Sequence, residues 1–165
     1  MAPTGVLTDE MKRFVRVQRL GFVATVCPDG TPNLSPKGTT TVWDDDHLIF
    51  ADLASPGTVA NLRKNPACEV NVVDPMVRKG FRFKGKGKVF VKGREYEEGV
   101  TFFREKGGVS SPIRSIVKIR VEEAAALISP VYNSGMSEEE VRRRWETYWG
   151  EVRRGPRGRE PGPPD

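Results

Sequence analysis

The residues from 81 to 91 form the stretch that most constrains how this chain can fold. Apolar residues and glycines alternate there with basic residues over four consecutive pairs. One face would carry Phe81, Phe83, Gly85, Gly87, Val89 and Val91, and the other Arg82, Lys84, Lys86 and Lys88. Because successive side chains of a β-strand point to opposite faces, this period of two predicts a strand with one buried face and one basic face.

Five further segments have the composition of strands, with β-branched and aromatic residues bounded by turn sequences such as Pro28-Asp29-Gly30. They are 20–26, 32 to about 43, 47–51, 67–73 and 113–121, with Leu127 and Ile128 extending the last. Helices are predicted over 8–19, 58–64 and 93–106, and from Ser137 onward. The pattern predicts a mainly β fold, a six-stranded antiparallel barrel with flanking helices, rather than a parallel α/β fold.

The length of 165 residues suits one domain, which we expect to span residues 1–150. The tail from 151 to 165 consists largely of Gly, Pro and Arg and has almost nothing to bury, so it is predicted to be disordered. No apolar run approaches the ~18 residues of a membrane span, and the start of the chain lacks the pattern of a signal peptide. We therefore expect a cytoplasmic protein with no membrane partner.

Several kinds of catalytic site are disfavoured by the residues that the chain contains. His47 is the single histidine and opens a strand after an acidic turn, which argues against Cys-His and Ser-His chemistry. Cys27 and Cys68 lie apart in apolar surroundings and are interpreted as small buried hydrophobes. No zinc pattern, Walker loop or dinucleotide fingerprint is present. No metal site is predicted, and no catalytic residue is assigned.

A group of polar residues suits a phosphate-bearing ligand. Ser35 and Lys37 share one face of the second predicted strand, and Ser55, Thr58 and Asn61 lie around the start of the helix after the third. A helix N-terminus offers free N–H groups and a positive dipole end, and lysine and hydroxyls add donors for a phosphate dianion. An ordinary helix cap and a solvated strand face remain the alternative interpretation.

Three segments carry a resemblance to a known family: 31–39 (TPNLSPKGT), 48–52 (LIFAD) and 58–66 (TVANLRKNP). Their order and spacing resemble the pyridoxamine 5′-phosphate oxidase-like FMN-binding family. Residues 80–85 (GFRFKG) are similar to that family's fifth strand, and the resemblance covers about residues 11–121.

The resemblance implies a split β-barrel that forms a homodimer and holds FMN at the subunit interface. Ser35, Pro36, Lys37 and Gly38 would lie along the flavin, Ala51 and Asp52 would border its ring or ribityl chain, and Ser55, Thr58 and Asn61 would surround the phosphate. Where the true oxidase has a Ser-Arg-Lys phosphate clamp, this chain has Ser55-Pro56-Gly57-Thr58. Lys37, with Arg63 or Arg82, would therefore neutralise the phosphate, and oxidation of vitamin B6 is not implied.

The resulting hypothesis is an FMN-dependent oxidoreductase of unknown substrate. The alternatives are a flavin-binding or storage module without turnover, and a relative that binds a deazaflavin or haem. A nucleic-acid-binding barrel is disfavoured because Phe81 and Phe83 point away from the basic face. The helix with Trp145, Tyr148 and Trp149 either packs on its own core or covers the flavin of the partner subunit.

Overall fold

The computed structural model describes residues 5–155. Its elements, in chain order, are α1 (Asp9–Gln18), β1 (Gly21–Val26), β2 (Pro32–Lys37), β3 (Thr41–Val42), β4 (His47–Asp52), α2 (Pro56–Lys64), β5 (Ala67–Asp74), β6 (Lys79–Phe90), α3 (Arg94–Glu105), β7 (Ser115–Ile128), a 3₁₀ turn (Pro130–Ser134) and α4 (Glu138–Arg154). No helix within the described residues is both long enough and apolar enough to span a membrane.

The seven strands form one sheet in the order β2-β1-β5-β6-β7-β4-β3. The pairs β1–β2, β1–β5, β3–β4 and β4–β7 are antiparallel. The predicted antiparallel sheet with flanking helices is therefore confirmed, with seven strands in place of six. The seventh strand arises because the predicted second strand is divided in two.

That division occurs at residues 38–40, where the sequence favours a continuous strand. The carbonyl of Lys37 accepts hydrogen bonds from the N–H of Thr40 at 3.2 Å and from its hydroxyl at 2.9 Å. These bonds close a turn after β2, and the chain then enters β3, which pairs with β4 instead of β1. Local side-chain hydrogen bonding of threonine thus overrides its preference for extended backbone.

Residues 5–72 and 81–125 form one compact unit with two hydrophobic cores. The first, called the inner core, contains Phe50, Phe83 and Val117. The second, called the outer core, lies against α3 and contains Ile49 and Phe103. Neighbouring residues of β4 thus enter different cores, and β4 is buried on both faces.

Strand β6 shows the alternation that its sequence predicts. Phe81, Phe83, Gly85 and Gly87 are buried, whereas Arg82, Lys84, Lys86 and Lys88 are exposed. Glycine at position 85 is required by the close approach of β7, since a Cβ placed there would lie 1.9 Å from the carbonyl oxygen of Arg120. The apolar face of β6 lies on the inner core, as the period of two predicts.

A second unit consists of residues 73–80 and 126–155. Within it, α4 begins at Ser137 with the predicted capping box, because the Ser137 hydroxyl accepts from Glu140 N–H and the Glu140 carboxylate accepts from Ser137 N–H. The helix continues to Arg154, beyond the domain boundary predicted at residue 150. The rest of the predicted tail, 156–165, lies outside the described residues, so that boundary stays a prediction.

Gly150 offers a test of whether a residue that disfavours helix lowers the stability of α4. It lies inside the helix, and a Cβ at this position would meet nothing within 4 Å. Gly150→Ala should therefore raise the free energy of unfolding by about 0.5–1 kcal/mol, because alanine loses less backbone entropy on folding. Urea unfolding followed by circular dichroism measures the change.

Gly30→Ala is the matched control, since Gly30 also has open space around it but a φ of 84°. An L-residue is strained at such a φ, so this variant should lose about 1–2 kcal/mol. If both variants shifted the unfolding midpoint in the same direction, the backbone argument for Gly150 would be wrong.

Candidate functional site

Strand β2 turns its polar side chains towards the inner core. Lys37 pairs with Gly21 of β1, Ser35 with Val23 and Asn33 with Thr25, and Val23 belongs to the inner core. Ser35 and Lys37 therefore share one face, as the sequence predicts, but that face points inward and is not the solvated face of the alternative interpretation. Leu34 and Pro36, on the other face, are exposed.

Lys37 is a buried cation, with 4% of its surface exposed. Its ammonium group donates a hydrogen bond to the Ser35 hydroxyl and lies 5.9 Å from the centroid of the Phe50 ring. Within residues 5–155, no carboxylate oxygen lies within 4.0 Å of this ammonium group. Burial lowers the pKa of Lys37, an effect that the negative charge of Asp52 partly opposes. A buried ammonium with only a hydroxyl partner is suited to an anionic ligand.

Asn61 links α2 to the same pair of strands. Its side-chain N–H donates to the Thr25 hydroxyl at 3.1 Å, and the same hydroxyl accepts from the Asn33 amide at 3.2 Å. We call Thr25, Asn33, Ser35, Lys37 and Asn61 the inner polar cluster. Thr25 was missed by sequence reasoning because threonine in an apolar strand is an ordinary strand former. The available signal was its position two residues after Val23, on the same buried face.

The start of α2 is open to a ligand. Ser55 occupies the N-cap position, but its side chain accepts no hydrogen bond from the helix. Pro56 begins the helix, two residues earlier than predicted, and a Cβ on Gly57 would meet nothing within 4 Å. Thr58 is 2% exposed and lies in the same first turn. The first N–H groups of α2 therefore lack a side-chain cap, which is the condition for binding an anion there.

Asp52 holds the end of β4 to two neighbouring elements. One carboxylate oxygen accepts from the Ser55 N–H at 2.7 Å, and the other accepts from the Ser115 hydroxyl of β7 at 3.0 Å. Ala51 beside it exchanges hydrogen bonds with the Thr39 hydroxyl at 3.0 and 3.1 Å. These contacts fix the turn between β4 and α2, Asp52 through its carboxylate and Ala51 through its backbone.

The structure does not bring Arg82 to the inner polar cluster within one chain. Arg82 lies on the exposed face of β6, and both β5 and β1 separate that strand from β2. Its guanidinium lies 3.7 Å from the Glu69 carboxylate on β5. Arg63 is exposed on α2. Lys37 is thus the buried cation of the predicted set, and a cofactor role for Arg82 stays a prediction.

The two cysteines differ in their surroundings. Cys68 is buried, and burial raises the pKa of its thiol to about 12, which keeps the thiol protonated and unreactive. Cys27 is half-buried, with its sulfur 3.5 Å from the side-chain nitrogen of Asn61. Among the described residues, no group of three or more His, Cys, Asp or Glu side chains is arranged to hold a metal ion.

A seven-stranded antiparallel sheet with flanking helices, and a polar cluster contributed by β1, β2 and α2, are the features of a split β-barrel protein. The family model described as pyridoxamine 5′-phosphate oxidase matches residues 7–127. The chain therefore belongs to the pyridoxamine 5′-phosphate oxidase-like family of FMN-binding split barrels. The predicted family and fold class are both confirmed.

Among solved structures, HupZ of Group A Streptococcus is 32% identical with a TM-score of 0.67, and the match covers 74% of this chain and 95% of that one. Two more distant structures share the fold. An FMN-binding protein from Syntrophomonas wolfei is 13% identical (TM-score 0.61, covering 72% and 84%), and an F420 reductase is 20% identical (TM-score 0.57, covering 72% and 98%). A search of curated proteins found no match.

Proposed function

We propose that this chain binds FMN and acts as an oxidoreductase in the form of a homodimer. The observation that carries the proposal is the buried ammonium group of Lys37, whose one hydrogen-bond partner among residues 5–155 is a hydroxyl. Burying an ammonium group is costly unless an opposite charge accompanies it. A phosphate dianion supplies that charge, and the family membership supports a flavin as the molecule that carries it.

The residues present fit this cofactor. Lys37 and Ser35 offer a cation and a hydroxyl, and the uncapped first turn of α2, with Thr58, offers N–H groups. Pro36, Gly38, Ala51 and Asp52 lie along the chain segments that lead to these donors, and Asn61 fixes α2 to β1 through Thr25. When bound, FMN would accept and donate the electrons, while the protein binds and orients it and controls access.

The first experiment is an absorption spectrum of the purified protein, with mass spectrometry of the small molecule that heat releases. Flavin bands and the mass of FMN are the expected result. Colourless protein that stays colourless after incubation with FMN would overturn the proposal. A haem spectrum would also overturn the proposal. Haem is not expected, because the Nδ1 of the single histidine, His47, lies 2.7 Å from the Asp44 carboxylate.

A deazaflavin is the second candidate, because an F420 reductase shares the fold. The spectrum and the released mass distinguish a deazaflavin from FMN. A flavin-binding module without turnover is distinguished by kinetics instead. Reduction of the bound flavin by NADH or NADPH, followed by reoxidation with an acceptor, is expected of an oxidoreductase. A flavin that binds tightly but is reduced by neither would favour the module.

The dimer is proposed from the face of β1 and β2 that lies opposite the inner core. Phe22 is 39% exposed and Leu34 is 65% exposed, and their register places both on this outer face. Large apolar side chains that neighbour each other on an exposed sheet face are typical of an interface. A second copy of the chain on this face would cover them.

Leu34→Glu should therefore convert the dimer into a monomer. A charge on this face would have to be desolvated at the interface, so the mass measured by light scattering should fall from twice 18.4 kDa to 18.4 kDa. Val17→Glu is the matched control, because Val17 is 69% exposed on α1, and its mass should not change. A Leu34→Glu protein that stays dimeric would contradict this interface.

A further inference from the structure

A pocket of about 520 Å³ lies on the face of the sheet opposite the inner core. It is lined by side chains from β4, β6 and β7 and by Trp43, which follows β3. The register of the strands defines the face, since His47 pairs with Arg120 and, two residues on, Ile49 of the outer core pairs with Lys118. The N–H of Trp43 donates to the carbonyl of His47 at 2.9 Å, which places Trp43 beside this row.

The sheet itself separates this pocket from the inner polar cluster. Lys37 lies near Phe50 of the inner core, whereas the pocket adjoins Ile49 and Trp43, which pack in the outer core. Residues 49 and 50 are neighbours on β4 and point to opposite faces. The pocket is therefore a different site from the one proposed for FMN.

Aromatic rings, rather than carboxylates, lie beside two of the four cations of this pocket, Lys118 and Lys88. The Lys118 ammonium lies 4.1 Å from the centroid of the Trp43 ring and 5.7 Å from that of Phe90. The Lys88 ammonium lies 5.3 Å from the Phe90 centroid. A ring face attracts an ammonium group without accepting its N–H bonds in full, so the donors stay available to a ligand.

Three of these cations form no ion pair with a carboxylate of the described residues, although Lys118 interacts with the charge of Glu98 over a longer distance. Within residues 5–155, no carboxylate oxygen lies within 4.0 Å of the charged group of Lys88, Lys118 or Arg120. Lys86, the fourth cation of the lining, does pair with Glu122 at 3.3 Å. Of the two carboxylates that line the pocket, Asp44 is hydrogen-bonded to His47 at 2.7 Å, and Glu95 is the other. With Lys86 paired to Glu122, the three cations Lys88, Lys118 and Arg120 stand against Asp44 and Glu95, so the lining keeps a small positive excess.

We propose that this pocket binds a small anion that carries an unsaturated ring, in the manner of a nucleoside monophosphate. Lys88, Lys118 and Arg120 would contact the phosphate, and the rings of Trp43 and Phe90 would contact the planar group. The volume lies in the range of small-ligand sites, roughly 300–1,000 Å³. A single-stranded nucleic acid is less well matched, because Asp44 and Glu95 interrupt the basic surface that a longer backbone would follow.

The test is calorimetric titration of the FMN-saturated full-length protein with adenosine 5′-monophosphate, and of the same protein without added FMN. One binding event per chain is expected, with an affinity that FMN does not change. Adenosine, which lacks the charge, should bind at least about tenfold more weakly. Absence of binding, equal binding of adenosine, or competition by FMN would each overturn the proposal. Competition by FMN would overturn this proposal even if FMN also bound at the inner polar cluster.

Two variants test whether the nucleotide binds in this pocket. Lys118→Met keeps an apolar chain over Trp43 and should weaken the nucleotide by about tenfold or more. Lys84→Met removes a cation from the same basic face of β6, outside this pocket, and should leave the affinity unchanged. Circular dichroism checks that both variants are folded. Equal losses in the two variants, or tighter binding of a dT10 oligonucleotide than of the monophosphate, would indicate a general basic surface instead.

Discussion

Gly85→Ala should destabilise the fold by at least about 3 kcal/mol, the largest effect we expect from adding one methyl group to this chain. The new Cβ would lie 1.9 Å from the carbonyl oxygen of Arg120 and 2.9 Å from its carbonyl carbon. Both atoms belong to the backbone of β7, so no side-chain rotation relieves the overlap. Relief requires β6 and β7 to move apart, which breaks hydrogen bonds in the middle of the sheet.

Gly87→Ala is the matched control two residues further along the same face of β6. Its Cβ would lie 2.9 Å from a terminal methyl of Leu62, which is the end of a flexible side chain. We expect this variant to lose about 1–2 kcal/mol at most, since Leu62 can shift to another rotamer. Urea unfolding followed by fluorescence compares the two midpoints. Equal midpoints would show that the separation of β6 and β7 is not fixed by Gly85.

Lys37→Met should weaken FMN binding and, at the same time, stabilise the protein without FMN. Loss of a charge-assisted contact to the phosphate costs about 1.5–3 kcal/mol, or roughly 10- to 150-fold in affinity. The apo protein gains because a methionine of similar length replaces a buried ammonium group whose one hydrogen-bond partner in the described part of the chain is a hydroxyl. Fluorescence titration with FMN and thermal unfolding of the apo protein measure the two opposite changes.

The pH dependence of stability provides a second measure of Lys37. Its pKa is lowered in the folded protein from the ordinary 10.5. Between the lowered pKa and 10.5 the unfolded chain binds more protons than the folded one, so the free energy of unfolding should rise with pH across that window. Lys37→Met should abolish this rise.

An exposed lysine serves as the control for both measurements. Lys84→Met should change neither FMN affinity nor the slope of stability with pH, because Lys84 lies on the exposed face of β6. A Lys37→Met protein that binds FMN as tightly as the wild type would exclude Lys37 as the phosphate ligand. A lower stability of the apo variant would show that the buried ammonium group already has adequate partners.

The elements whose signals are local were predictable from the sequence. The alternation in β6 gave its buried and exposed faces, and Ser137 with Glu140 gave the start of α4. The residues of the candidate site were found in part for the same reason: the period of two puts Ser35 and Lys37 on one face. The resemblance to the flavin-binding family added the expectation that residues from separate segments contact one ligand, FMN.

Other features of the site depend on residues far apart in the chain. Whether the face of Lys37 points to solvent or to the core depends on the pairing of β2 with β1 and on α2 packing nearby. The pocket opposite the inner core depends on the pairing of His47 with Arg120, which are 73 positions apart. Its aromatic residues are Trp43, which follows β3, and Phe90 at the end of β6. The sequence analysis considered only Phe81 and Phe83, which lie on the other face, and so did not find them.

The sequence by itself determined the order of helices and strands apart from the break after Lys37, which face of β6 is apolar and which family the chain resembles. Periodicity and helix caps act over a few residues, so they can be read along the chain. The tertiary structure alone decided that β2 ends at Lys37, that β4 is buried on both sides and that Lys37 is enclosed. Each of these depends on strand order and on contacts between distant residues, which local preference does not specify.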